Sequence, residues 1–386
     1  MNKSKGENLM RICFFAQGSA IHTRRWINYF AERGHDVHLI TFEPVIEGYN
    51  KSVKIYNLLR IFPNLWPITR FVSGIIWPFQ VLFLFLKKIK PDILGAISIT
   101  INGYLAVASG FHPLILTACG SDILIAPKKN YIWRFLTIFT LRKADALIFA
   151  APHMAETAIT LAGDIIRDRI YRDSFGSIDL EKFNPTKRGF GIREKLNLDN
   201  NCFVIISTRN LRQIYDVDTL IKSAPIVIDK IPKTYFIIIG DGEKRGKLEK
   251  LSEDLNVKNN IKFLGFIPHE DLPKYLTAAD IYVSTSLSDG TSVSLLEAMG
   301  CELVPVVTDI PANQDWIKQG VNGFLVPIRD HNALANKIIY LLENEEKRKT
   351  FGIASREIVE EKSDYYKQMA EIEKIYEDLV CVQSRK

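Results

Sequence analysis

The stretch "SLSDGTSVSLLEAMGCELVPVVTD", Ser286 to Asp309, holds two acids eight residues apart, Asp289 and Glu297. Asp289 sits in a loop of small residues. Glu297 stands among Leu295, Leu296, Ala298 and Met299. A carboxylate buried in so apolar a run is expensive unless a nearby cation, a backbone amide or a ligand answers it. Just upstream, "DIYVSTS" reads as a strand, so Ser288 to Ser292 form the loop after it and a helix begins near Thr291 or Ser292. The free N–H groups of Gly290, Thr291 and Ser292 at that helix start suit a phosphate. Gly290, Ser294 and Glu297 share one face by their i, i+4, i+7 spacing. Glu297 lies roughly 9 Å along the axis from Thr291. A nucleoside diphosphate at the helix start would bring its ribose diol to that depth, where one carboxylate accepts both hydroxyls.

Cations should answer the phosphates. "STRNLRQIYDVDTLI" places Arg209 and Arg212 after another strand, where a guanidinium grips phosphate through two parallel bonds; a surface salt bridge is the alternative. "GDGEKRGKLEK", from Gly240, is not a Walker loop: five residues separate Gly240 from Gly246, and Leu248 stands where Ser or Thr would hold magnesium. "AQGSAIH" has only Gly18, which argues against a dinucleotide fingerprint and a nicotinamide cofactor. No His, Cys and acid spacing points to a metal.

These loops need strands to carry them. "RICFFAQG", "HDVHLITF", "KPDILGAIS", "PLILTACG" and "ADALIFAAP" are short apolar runs separated by helical stretches such as "HTRRWINYFAERG". The alternation predicts a parallel sheet with helices on both faces. A hinge is expected at Asn184-Pro185 and the polar residues through Gly189 and Gly191. The pattern then restarts with "NCFVIISTRN", "TYFIIIGDG", "IKFLGFI", "DIYVSTS" and "LVPVVTD". The expected division is 1–190, 191–365 and a helical tail 366–386 that packs back on the first domain, with a helix break near Ser363. Ligands of such sheets bind beyond the carboxyl ends of the strands.

Composition bounds the rest. The 386 residues, 47% hydrophobic and 24% charged, suit two folded domains. Five scattered cysteines without a C-x-x-C pair argue for a reducing compartment, and a cytoplasmic location is expected. "MRICFFAQG" is too short an apolar run for a signal peptide. The run Phe71 to Leu86 is shorter than a spanning helix and carries Pro78 and Gln80. Residues 1–190 hold 24 Lys and Arg against 14 Asp and Glu, while the remainder is mildly acidic. Arg60, Arg70, Lys87, Lys88 and Lys90 flank one apolar run, and Arg134, Arg142 and Lys143 surround "FLTIFTL". A solvated surface explains this charge; contact with an anionic membrane surface is the sharper reading. No nucleic-acid recognition motif accompanies it.

The ordered set of these segments resembles the family-4, or group 1, glycosyltransferases of GT-B fold, which have two facing Rossmann-like domains. "SDGTSVSLLEAMGCELVPVV" is similar to that family's acid-x7-Glu motif and following strand. "IIIGDGEKRGKLEKL", "IKFLGFIPHEDLPKYLTAADIYVSTS" and "GVNGFLVP" match its other C-domain landmarks, and "HTRRWINYFAERGHDV", "CGSDIL", "ADALIF" and "FGSIDLEKF" its N-domain ones. The resemblance implies transfer of a sugar from a nucleotide diphosphate sugar to a saccharide or lipid-linked acceptor, retaining the anomeric configuration, with no metal or other cofactor. It implies donor contacts by Gly18, Arg209, Arg212, Gly240, Ile267, Asp289, Gly290, Thr291, Ser292 and Glu297, with Glu297 on ribose and Asp289 on the sugar. It implies catalytic roles for Asp289, Arg209 and Asp122, and acceptor-side roles for His22, Cys119, Gly120 and Ser121. Three positions depart from the family: Tyr215 replaces a Lys, for which Arg212 would substitute, Cys119 replaces a His, and Glu302 replaces a Gly. The rival readings are a nucleotide-sugar 2-epimerase of the same fold and a donor-binding protein that has lost transfer.

Overall fold

The computed structural model describes residues 9–61, 76–172, 177–186, 189, 191–199 and 201–383. Arg70 and the first five residues of the run Phe71 to Leu86 lie outside the described residues. The chain divides into two compact units, Met1–Phe175 with Lys367–Lys386, and Gly176–Tyr366.

The first unit is built on β1 (Arg11–Phe15), β2 (Asp36–Thr41), β3 (Lys54–Asn57), β4 (Ile93–Ile97), β5 (Leu114–Ala118), β6 (Ala146–Phe149) and β7 (Ile170–Arg172). All neighbours run parallel in the order β3-β2-β1-β4-β5-β6-β7. The central strands β4, β5 and β6 are buried at every residue. That is why they read as unbroken apolar runs rather than alternations. β3 and β7, at the two edges, are short and partly polar, and they escape a search for such runs.

The second unit repeats the design with β8 (Phe203–Ser207), β9 (Thr234–Ile239), β10 (Ile261–Gly265), β11 (Ile281–Ser284), β12 (Val304–Thr308) and β13 (Phe324–Val326). Its parallel order is β10-β9-β8-β11-β12-β13. Alternate residues feed opposite faces: Val204 and Ile206 join Leu295 and Leu296 of the helix Val293–Gly300, while Ile205 joins Leu220 of the helix Val217–Lys230. The order reverses on either side of β8. Such a reversal makes the loops after β8 and β11 diverge and leaves a crevice between them.

The expected boundary at residue 190 moves forward to the Phe175/Gly176 step. The turn residues around Asn184-Pro185 suggested a hinge, but Ile178 and Phe183 just before them are fully buried in the second core. Ile178 also bridges to Asp364, and Arg356 donates to the Phe183 carbonyl. Burial therefore ties this segment to the second unit.

The helix Glu345–Lys362 stops before Ser363, and the helix Tyr365–Gln383 then runs largely within the first unit. There Tyr376 packs against Phe30 and Phe14, with ring centroids 4.9 and 6.0 Å away. Gly95 of β4 makes room for it, since a Cβ there would come within 2.6 Å of the Tyr376 hydroxyl. Glu373 accepts from the Tyr29 hydroxyl at 3.0 Å and lies 2.8 Å from His35 Nε2. No described helix is long and apolar enough to cross a membrane.

Candidate functional site

Arg209 follows β8 by two residues and is 8% exposed. Its Nη1 donates to Ser292 Oγ at 3.1 Å and to Ser294 Oγ at 2.8 Å, and its Nη2 donates to the Asp289 carboxylate. The Tyr215 ring lies 4.2 Å from the guanidinium carbon, and the Tyr282 hydroxyl donates to Ser294 Oγ at 2.9 Å. Burial opposes the guanidinium charge, but Asp289, Tyr282 and Tyr215 outweigh it and hold the pKa above its usual value. Arg209 Nε is buried without a hydrogen-bond partner. β8 and β11 pair as parallel neighbours, so Arg209 after the one meets Asp289 and Ser292 after the other, about 80 residues later in the chain.

Glycine lets the backbone support this group. Gly240 has φ +133°, and a Cβ there would stand 2.4 Å from the Arg209 carbonyl oxygen. Leu211 N–H donates to the Asp241 carbonyl at 3.0 Å, and Lys244 N–H returns a bond of 3.0 Å to the Leu211 carbonyl. Gly240 therefore props the Arg209 backbone from behind.

The helix carrying Glu297 spans Val293–Gly300 and is capped at Ser292, one residue beyond the nearer expected start. Gly290 N–H is taken up by Asp289 Oδ1 at 3.0 Å. Glu297 is 4% exposed, and its Oε1 lies 2.6 Å from His269 Nε2. Nothing in the acid spacing pointed to His269, which lies 28 residues earlier in the loop after β10. Ile267, in that loop, packs partly against the second core beside Phe266, which is 73% exposed. Arg212 stands apart: its side chain is 65% exposed, and Nε lies 3.9 Å from Glu243. Tyr215, not a cation, occupies the place next to Arg209. Glu302, where the resemblance expects Gly, holds φ +60°, a backbone glycine adopts readily.

In the first unit, Gly18 N–H donates to Thr41 Oγ1 at 3.0 Å, and its carbonyl accepts from the Tyr49 hydroxyl at 3.1 Å. A cavity of about 410 Å³ is lined by His22, Cys119, Ser121 and Asp122, with Gln17, Ser98, Thr100, Lys129 and Trp133. Cys119 Sγ is 4.0 Å from His22 Nε2. Both residues reach solvent at the mouth of the cavity; desolvation by the surrounding protein atoms, and then Arg25, lower the His22 pKa, and desolvation, and then Asp122, raise that of the Cys119 thiol. Both shifts favour the neutral form of the group. The Asp122 carboxylate accepts from the backbone N–H of Ile99 and Gly120 at 2.9 Å each and of Cys119 at 3.1 Å. It shapes the floor of the cavity, with Gly120 at φ +129° completing the turn. Among the described residues, no three His, Cys, Asp or Glu side chains converge as metal ligands would.

Comparison with known proteins places these two units. Residues 191–358 match the family described as glycosyl transferases group 1, and residues 11–151 the one described as glycosyl transferase 4-like. Escherichia coli UDP-Gal:alpha-D-GlcNAc-diphosphoundecaprenol alpha-1,3-galactosyltransferase is 27% identical over 80% of this chain and 80% of its own. Bacillus anthracis N-acetyl-alpha-D-glucosaminyl L-malate synthase is 23% identical over 91% of each. Among solved structures, Thermosynechococcus elongatus sucrose-phosphate synthase superposes with TM-score 0.78 at 17% identity, covering 96% of this chain and 100% of that one. Anabaena HepE in complex with UDP superposes with TM-score 0.76 at 19% identity, with the same coverage. The fold is therefore GT-B. The family matches fall one on each sheet and together span most of the sequence, and on that ground the chain belongs to the group 1 glycosyl transferases, which act on nucleotide sugar donors.

Proposed function

We propose that the protein is a retaining hexosyltransferase that needs no metal and passes a sugar from a nucleotide diphosphate sugar to a saccharide carried on a lipid. The observation that supports this most is the Arg209 cluster. A buried guanidinium at a helix start, with Nε unpartnered, is built to take phosphate oxygens. As the sugar leaves, negative charge builds on the diphosphate, and Arg209 with the N-terminus of Val293–Gly300 neutralises it in place. The anomeric carbon becomes positive at the same moment, and Asp289 has the sign to favour it. Glu297 holds the ribose. Relatives whose names give α-linked products support retention.

The test is a melting screen with UDP, GDP and ADP, followed by transfer from the matching sugar. One nucleotide is expected to raise the melting temperature well above the other two, by mass action on the native state. Proton couplings at the product's anomeric centre should then show the donor's configuration preserved. An inverted product removes retention, and interconversion of donor without acceptor would mean an epimerase.

The lipid-linked acceptor has its own support in the first unit. The helix Tyr131–Lys143 exposes Tyr131, Ile132 and Phe135 at 91%, 70% and 67%, beside Lys128, Lys129 and Arg134. Lys129 and Trp133 from the same turn line the cavity that contains His22 and Cys119. Aromatic and apolar tips among cations match an anionic bilayer surface. The protein should float with vesicles containing anionic lipid and stay behind with neutral ones. Replacing Ile132 and Phe135 by Ser should lower recovery even at low salt. Equal recovery on both vesicles removes the membrane part of the reading.

A further inference from the structure

Among the described residues, no side chain but His269 bonds the Glu297 carboxylate, at 2.6 Å on Oε1. On its far side, His269 Nδ1 lies 2.9 Å from Lys182 Nζ. Lys182 Nζ also reaches Glu270 Oε1 at 2.8 Å. An ammonium has only protons to give, so His269 Nδ1 accepts from it. The ring of a neutral imidazole then carries its proton on Nε2, pointing at Glu297. Three features fix this chain of contacts. The Phe183 ring packs on His269 with centroids 5.2 Å apart. The N–H groups of Glu181 and Lys182 both donate to Asp179 Oδ1, at 3.1 and 3.0 Å. Ile178 and Phe183, fully buried, anchor the turn that presents Lys182.

We propose that His269 is a positioning residue for nucleotide binding: Lys182 selects its tautomer, its Nε2–H holds Glu297 by Oε1, and Oε2 is left turned to a ribose diol. This rests on the reading of Glu297 as the ribose carboxylate. Without His269, the carboxylate rotates or draws in water, and the two hydroxyls meet a disordered acceptor. A side chain that merely filled space would affect the fold and every ligand alike. A positioning residue affects only ligands that own the hydroxyls.

The experiment is calorimetric titration with whichever of UDP, GDP and ADP the melting screen selects, and with its 2′,3′-dideoxy form. The proteins are wild type, His269→Ala, His269→Gln, Lys182→Met and Glu297→Gln. His269→Ala should weaken the ribonucleotide about tenfold, the scale of one hydrogen bond to a charged group, and leave the dideoxy form unchanged. His269→Gln keeps an N–H donor and should recover part of that loss. Lys182→Met frees the tautomer and should fall between His269→Ala and wild type. Equal weakening of both ligands, or tighter ribonucleotide binding, overturns the proposal. If His269→Ala does not fold, His269→Gln and Lys182→Met decide it by the same comparison. If wild type does not distinguish the two ligands, the ribose reading of Glu297 fails. If it does, and Glu297→Gln abolishes the distinction while the His269 and Lys182 variants keep it, only the present inference fails.

Discussion

Arg209→Ala should lower kcat/KM by about 10²–10³, the usual scale for losing one preorganised group at a developing anion. The effect has two sources. The diphosphate loses the buried guanidinium at the helix start. Asp289, whose carboxylate that guanidinium bonds, loses this cation and meets the incoming phosphates as a like charge. Neither of the two described candidates replaces it. Arg212 is mostly exposed and leans toward Glu243, and Tyr215 brings a ring without a charge. Arg212→Ala is thus the informative control and should leave kcat/KM nearly unchanged. Arg209→Lys keeps the charge but not the planar fork that spans Ser292, Ser294 and Asp289, and should recover only part of the loss. Initial rates over a range of donor concentration measure all three. A loss below tenfold for Arg209→Ala would move the phosphate site elsewhere.

Glu297→Gln should weaken nucleotide binding by roughly 1.5–3 kcal/mol, about 10- to 100-fold in Kd, because one acceptor of the diol becomes a donor. Stability without nucleotide should hold or rise. Gln keeps a carbonyl that can accept the His269 Nε2–H, and a charge at a 4% exposed position disappears. A charged His269–Glu297 pair would behave in the opposite way, since Gln would strand a partly buried imidazolium. Melting temperatures of both proteins, with and without nucleotide, separate the two. Lost stability with an intact nucleotide-induced shift would make Glu297 a structural residue.

How much of this was legible in the sequence depended on distance along the chain. The central strands were, because strands buried on both faces are apolar runs whatever their neighbours. The acid pair was, because one loop and one helix carry both members. β3, β7 and β13 were not: the first two are partly exposed edges, and β13 has three residues. The partners of Glu297 were not either. Lys182 and His269 lie 87 residues apart, and only the packing of Ile178 and Phe183 brings them together. The same burial explains why turn chemistry near Pro185 misplaced the boundary. At Asp122, the resemblance implied a catalytic carboxylate, while its oxygens are engaged by three backbone N–H groups. A carboxylate that closes a backbone turn and one that meets a ligand look alike in one dimension.

The tail helix also has a consequence for how the protein is made. Gly176–Tyr366 is one unbroken stretch, whereas the first unit needs residues from both ends of the chain. Phe14, Phe30 and Gly95 are synthesised early, yet the Tyr376 ring that packs on them follows only after the whole second unit. At roughly 5–20 residues per second, the interval from Gly95 to Tyr376 lasts on the order of tens of seconds. During that time the ribosome carries a nascent sheet with one face of its aromatic cluster uncovered. The unit translated first is therefore the one completed last, and a nascent-chain chaperone would have its longest engagement there.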